Sequence, residues 1–166
     1  SPVRVAACSR SAQTAAMQVD PPSLDTPVNL VSAPSIGQVR AAGARDVVGN
    51  FAADLLLAGT VLRKRTLGTA NIGGSLDGVS WLISGEGGNV IVKNAVENSS
   101  IRTTGSLNSL TAVVLRGSTI FAGIAATVFD LPSLEQHFVN PQAAIRRVTV
   151  RGAPGINESA LVNSNL

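Results

Sequence analysis

The feature that most constrains this chain is a short pattern that restarts along its sequence. It is clearest between Leu67 and Gly123, where LGTANIGG begins at Leu67, GGNVIVKN at Gly87 and LTAVVLRG at Leu110. Each block sets an apolar residue, two variable residues, an apolar residue, a polar or small one and a third apolar residue ahead of a turn. Leu67, Ala70 and Ile72 fill the apolar slots of the first block. Val90 and Val92 fill those of the second, with Gly87 in the leading slot, and Leu110, Val113 and Leu115 those of the third. Weaker restarts lie at Ile36, with Val39 and Ala41, and at Ile145, with Val148 and Val150. A pattern returning every ~20–35 residues marks a solenoid with one coil per restart.

Between restarts runs a second apolar half-rung. Phe51, Leu55 and Leu57 form the first, then Leu76, Val79 and Ile83, then Val96 and Ile101, then Ile120 with Ile124. These slots hold β-branched and aliphatic residues, which suit a pleated surface buried on one side. Glycine and asparagine punctuate the chain too often for long amphipathic helices. Apolar residues make up 45% but aromatics only 3%, with no tyrosine, so the core is aliphatic. Trp81, among alternating small and apolar residues, is expected to be a packing residue at a coil corner or under a loop. The chain therefore predicts an all-β, parallel β-solenoid (β-helix) of about five coils, counted from the restarts. A hairpin-built sandwich has similar strand spacing, but recurrence of one position-specific pattern favours the coil.

Two segments depart from the pattern. Residues 1–34 are irregular: Pro21-Pro22, Pro27 and Pro34 break long helices. Within them, Val3–Val5 and Val28–Val31 read as short strands. Ser9–Val19 reads as a short helix with Ala12, Ala15, Ala16 and Val19 on one face. This region is a linker or a cap over the first coil, whose open edge otherwise exposes backbone groups. The repeat domain then spans 35–166, with an insert at 126–144 where TVFDLPSLEQHFVNPQ predicts a short helix capped by Asp130. ALVNSNL begins another half-rung before Leu166, so a longer parent chain is expected.

Little in the chain suggests chemistry. The net charge is +3 and arginine supplies most of the thirteen basic residues. They are scattered except at Arg63-Lys64-Arg65 and Arg146-Arg147, which are the candidate polyanion contacts. Stacking aromatics are lacking, which weighs against nucleic acid as a partner. Cys8 is the only cysteine, so no intrachain disulfide forms and no cysteine-based metal site is expected. Val5-Ala6-Ala7 ahead of it matches the end of a bacterial lipoprotein signal, without the apolar region such a signal requires; an inert thiol is the reading. No apolar run reaches the ~20 residues that span a bilayer.

Of the ten carboxylates, Asp46, Asp54, Asp77 and Glu86 fall at turns, where they accept backbone hydrogen bonds. No two carboxylates are expected at equivalent positions of adjacent coils. GGSLDG lacks the spacing of calcium-binding solenoids. His137, the only histidine, is expected on the surface of the insert, without a serine or cysteine motif. The pairs Gly73-Gly74 and Gly87-Gly88 lack the context of a phosphate-binding loop. No catalytic residue, cofactor or metal ligand is therefore assigned.

The runs GNFAADLLLAG, LGTANIGGSLDGVSWLISGEGGNVIV and SSIRTTGSLNSLTAVVLRGS, with SALVNSNL near the end, resemble the degenerate repeats of very large secreted or surface bacterial proteins of the planctomycete type. The resemblance covers roughly Ile36 to Leu166 and implies a right-handed parallel β-helix in a surface or extracellular protein. The basic stretch at Arg63 and the insert around His137 have no place in that repeat. The expected role is a non-catalytic structural or interaction module, pairing end to end through its solenoid edges or meeting other surface proteins or polysaccharide. A carbohydrate-active β-helix is the alternative, with Asp77, Arg102 and Arg116 as the first residues to inspect. Polyanion binding through the two basic clusters is the third reading.

Overall fold

A computed structural model describes residues 29–62, 64–155 and 159–166. The expectations placed on residues 1–28, and on Arg63, lie outside the described residues. Among the described residues all regular elements are strands apart from one 3-10 turn, and they form three sheets. The first sheet stacks β1 (Leu30–Ala33), β3 (Asp54–Leu57), β6 (Ser80–Ile83), β9 (Ser100–Thr103) and β12 (Thr119–Ala122). The second stacks β2 (Ile36–Ala41), β4 (Arg65–Ile72), β7 (Glu86–Val92), β10 (Leu107–Ala112) and β13 (Val148–Val150). The third stacks β5 (Leu76–Asp77), β8 (Ala95–Glu97), β11 (Val114–Arg116) and β14 (Leu161–Val162), and Phe51 extends it by a bridge to Leu76.

Every strand pairing within these sheets is parallel. The chain visits first, second and third sheet in turn and then begins again one layer on. Each strand thus pairs with its own equivalent rather than with its neighbour in sequence, which is the solenoid arrangement the restarts called for. Ile36 stands beside Leu67, and Leu67 beside Gly87, as the pattern required.

The third restart is displaced from where the sequence pattern put it. Gly87 pairs with Leu107, and Val90 with Leu110. Leu107, Leu110 and Ala112 are the inward residues of that layer and are buried, whereas Val113 is only half-buried. The run from Leu107 to Leu115 satisfies the three-slot template in two frames. Turn geometry chose the earlier one, because Ser106 accepts from the Gly87 amide at 2.9 Å and starts the strand there. Leucine at 107 also explains glycine at 87: a Cβ on Gly87 would meet Leu107 Cδ1 at 2.8 Å. The larger side chain of one layer fills the space left by the smaller one of the next, as close packing demands.

Inward residues align in columns along the stack. Leu55, Trp81, Ile101 and Ile120 form one in the first sheet. Val39, Ala70, Val90, Leu110 and Val148 form one in the second, and Leu76, Val96, Leu115 and Leu161 one in the third. Members in the middle layers are almost fully buried, and each valine, leucine or isoleucine among them contributes roughly 1.5–3 kcal/mol of hydrophobic stabilisation. Trp81 lies inside a column rather than at a corner. Its ring meets Phe51 edge-on at 5.7 Å, and its Nε1 donates to Ala53 O at 3.1 Å.

The corner after the third sheet has its own chemistry. Gly78, Asn98, Gly117 and Asn163 occupy the same place in successive layers, all with φ between 46° and 61°. Only glycine, and asparagine among residues with a side chain, enters that left-handed region readily. The next position holds Val79, Ser99, Ser118 and Ser164. Each serine Oγ accepts the amide of its counterpart one layer back: Val79 at 3.3 Å, Ser99 at 3.2 Å and Ser118 at 3.3 Å. Each also donates to a carbonyl two residues earlier in its own turn. Corner amides that strand pairing leaves over are thereby satisfied inside the core.

The chain leaves the first sheet after Ala122 and returns to the second where Ile145 bridges Leu107. The insert between them closes on itself through an antiparallel bridge of Ile124 with Phe138. The expected helix is a single 3-10 turn, Glu135–His137. Asp130 does not cap it. His137 Nδ1 instead accepts the amide of Ser133 at 3.2 Å, so the turn is tied from its C-terminal side.

Candidate functional site

Parallel stacking puts the outward residues of each sheet into rows, so a site on a face is built from neighbouring members of such rows. On the second sheet one row reads Gln38, Thr69, Asn89, Ser109, and the next reads Arg40, Asn71, Ile91, Thr111, Thr149. Glu86 is the only carboxylate in the strands of this sheet, and it stands at the corner opposite Arg65. Toward β13 the face becomes concave and basic. Arg146, Arg147 and Arg151 line a cavity of ≈ 700 Å³ together with Asn89, Asn108 and Ser109, and among the described residues no carboxylate lines it.

The backbone holds these arginines in place. Arg146 N donates to Leu107 O at 3.0 Å, Arg147 O accepts from Leu110 N at 2.9 Å, and Arg151 N donates to Ala112 O at 3.0 Å. All three side chains are exposed. The floor is ordered by its own bonds: Asn89 Oδ1 accepts from Asn108 Nδ2 at 2.6 Å and from Ser109 Oγ at 2.9 Å. That leaves Asn89 Nδ2 as a donor and Asn108 Oδ1 as an acceptor with capacity to spare. Of the candidate polyanion contacts, Arg146 and Arg147 therefore share one groove. Lys64 and Arg65 belong to β4 and the loop before it, with β7 and β10 lying between β4 and β13, so the two basic clusters do not adjoin. Arg151, Asn89 and Asn108 were not singled out from the sequence. The signal for Arg151 was there in the alternation Arg147, Thr149, Arg151, which places all three on one face of a strand.

The residues proposed for carbohydrate chemistry are scattered. Asp77, Glu97 and Arg116 are in register on the third sheet, so two carboxylates do occupy equivalent positions of adjacent layers, contrary to expectation. Equating the two turns needs the Gly78–Asn98 match, which composition alone does not reveal. Arg116 Nη1 meets Glu97 Oε1 at 3.7 Å, with both side chains substantially exposed, and such a pair contributes little.

Arg102 lies on a different sheet and is not available to a ligand. It belongs to the outward row Leu56, Leu82, Arg102, Phe121 of the first sheet, but the insert covers it to 4% exposure. Its Nη1 donates to Val128 O at 2.9 Å and its Nη2 to Ser80 Oγ at 3.4 Å, and its Cζ sits 4.5 Å from the Phe129 ring centroid. Burial pushes the guanidinium pKa below its ordinary value, and Nε has no partner. Ser133, His137 and Asp130 line one hollow of the insert, yet the imidazole Nδ1 faces backbone amides of the turn, which is not the arrangement of a nucleophile and its base.

No family model matches the chain, and no curated protein or solved structure is significantly similar to it.

Proposed function

We propose that the chain is a right-handed parallel β-helix of about five coils that serves as a structural or interaction module, not as a catalyst, in an extracellular, cell-surface or filament-forming bacterial protein. Right-handedness follows the hand of nearly all parallel crossover connections. The observation that supports the reading is the unpaired strand edge at each end of the described stack. Among the described residues, β1 and β2 have no partner strand on one side of the stack, and β13 and β14 none on the other. The end columns are correspondingly exposed, with Val31 at 39% and Leu161 at 49%. Both ends of the described stack present parallel strands of the same repeat, so the described edge of one copy matches that of another. Joined head to tail, such ends make a heterologous contact that propagates instead of closing.

Sedimentation velocity over a range of concentrations tests this, with electron microscopy of the concentrated protein. Mass that grows with concentration and end-joined particles are expected. A monomer at every concentration overturns end-to-end pairing.

The carbohydrate-active alternative keeps one observation in its favour, the in-register Asp77 and Glu97. It requires turnover of an acidic or neutral polysaccharide, with or without calcium, that disappears in Asp77→Asn and Glu97→Gln. Such turnover would replace the structural reading.

A further inference from the structure

We propose that the groove formed by Arg146, Arg147 and Arg151 on the outward face of the second sheet is a binding site for a linear polysaccharide bearing carboxylate or sulfate groups. Three features of the groove select that ligand. Among the described residues its charge is of one sign, because three guanidinium groups line it and no carboxylate does. Arginine is suited to planar, two-point hydrogen bonding with carboxylate and sulfate-like oxygens. The one salt bridge among the described residues is Arg116–Glu97, so none of these three arginines pairs with a described carboxylate.

The floor is the second feature. Asn89, Asn108 and Ser109 come from adjacent strands and are locked to one another by bonds of 2.6 and 2.9 Å. Donors and acceptors are thereby fixed at the ~4.8 Å strand spacing, a grid on which a polymer with repeating hydroxyl groups can lie. Thr111 and Thr149 continue the grid, and Ile91, beside Thr111 on β7, gives an apolar patch for the C–H face of a sugar ring.

The third feature is what the groove lacks. No aromatic side chain lines it, and single-stranded nucleic acids are held largely by base stacking on aromatic rings. Duplex DNA also meets arginine, asparagine and serine through its phosphates, so it is the competing ligand that the test includes. The face runs across the strands from Arg40 on β2 to Thr149 on β13. It therefore suits an extended polymer lying along the stack better than a single small anion.

The test measures binding of the purified chain to polygalacturonate and heparin, with neutral dextran and duplex DNA alongside at the same ionic strength. Binding to at least one acidic polysaccharide, weakening with salt, and none to dextran is expected. In R146Q/R147Q/R151Q the affinity should fall at least a hundredfold, since each charged hydrogen bond lost costs about tenfold or more. Asn89→Leu keeps every charge and removes part of the grid, and should weaken glycan binding several-fold; Lys64→Gln should leave it unchanged. Far-UV circular dichroism checks that each variant is folded, and R147Q and R151Q singly replace the triple variant if it is not. The proposal is overturned by absent binding, by binding that survives loss of the arginines, by DNA binding at least as tight as glycan binding, or by an Asn89→Leu variant that binds like the parent.

Discussion

The layers between Leu67 and Ala122 and the insert that follows them obey different rules. In the layers nearly every second side chain is buried, and each strand has an equivalent on both sides, except that β5 and β12 meet only a single bridge on one side. In the insert, Phe129, Leu131, Leu134 and Val139 are all more than half exposed, and the only regular element is one 3-10 turn. The layers are therefore held by columns that no single residue dominates. The insert is held by a few ties: the Ile124–Phe138 bridge and the contacts of Arg102 with Val128 and Phe129. Stability should be collective and cooperative in the first region and local in the second.

The largest effect should come from Trp81, the bulkiest member of any column. Trp81→Ala removes a fully buried ring between Leu55 and Ile101, together with its edge-on contact to Phe51. A loss of about 3–5 kcal/mol is expected, read as a lower urea midpoint with unchanged slope. A loss under ~1 kcal/mol would mean that the columns repack freely around a vacancy, against the close packing argued for them.

The corner serines should come next. Ser118 is 1% exposed, its Oγ accepts the Ser99 amide, and it donates to Arg116 O at 2.9 Å. Ser118→Ala strands that buried amide at a cost of roughly 1–3 kcal/mol. Replacing an exposed serine of the second-sheet face, such as Ser109→Ala, should cost less than ~0.5 kcal/mol. Equal costs at the two sites would show that the corner ladder is not what satisfies the turn.

This ladder marks the limit of what the sequence disclosed. Aliphatic slots are legible because three apolar residues at fixed offsets are a strong local signal; Leu55, Leu57, Leu76, Val79, Ile83 and Ile101 all proved buried as expected. The corner is written in single small residues, Gly78, Asn98, Gly117 and Asn163, whose shared φ is a property of the backbone. Without that match the Leu110 frame could not be told from the Leu107 frame, and Asp77 could not be placed beside Glu97. The arginine groove was half legible. Arg146-Arg147 stood out as a pair, but its partners Asn89 and Asn108 are supplied by layers far away in sequence, and only the register brings them there.

Asn98 gives a smaller test of the same corner. Its φ of 47° is unfavourable for a residue with an ordinary side chain, so Asn98→Ala should destabilise by about 1 kcal/mol. Asn98→Gly should stay within a few tenths of the parent, because glycine enters this region freely. Thermal melting of the pair separates backbone strain from side-chain bonding. If glycine costs as much as alanine, the 3.5 Å contact of Asn98 Nδ2 with Asp77 Oδ1 matters more than the turn conformation.

The smallest global effect is expected where the two regions meet. Arg102 is a buried cation with no carboxylate partner among the described residues and an unsatisfied Nε. Taking such a charge out of water is costly, and an apolar replacement of similar length recovers that cost while losing the bonds. Arg102→Met should therefore shift overall stability by less than ~1 kcal/mol in either direction. The insert should respond quite differently. Without the donor to Val128 O and the cation over Phe129, its amides lose a tie worth roughly 1.5–3 kcal/mol. Hydrogen exchange at Ala125 and Val128, whose amides bond within the insert, should accelerate by about tenfold or more, with the amides of β7 and β10 unchanged. If Arg102→Met instead speeds exchange through all layers at once, the insert is part of the same cooperative unit as the columns, and the division between the two regions fails.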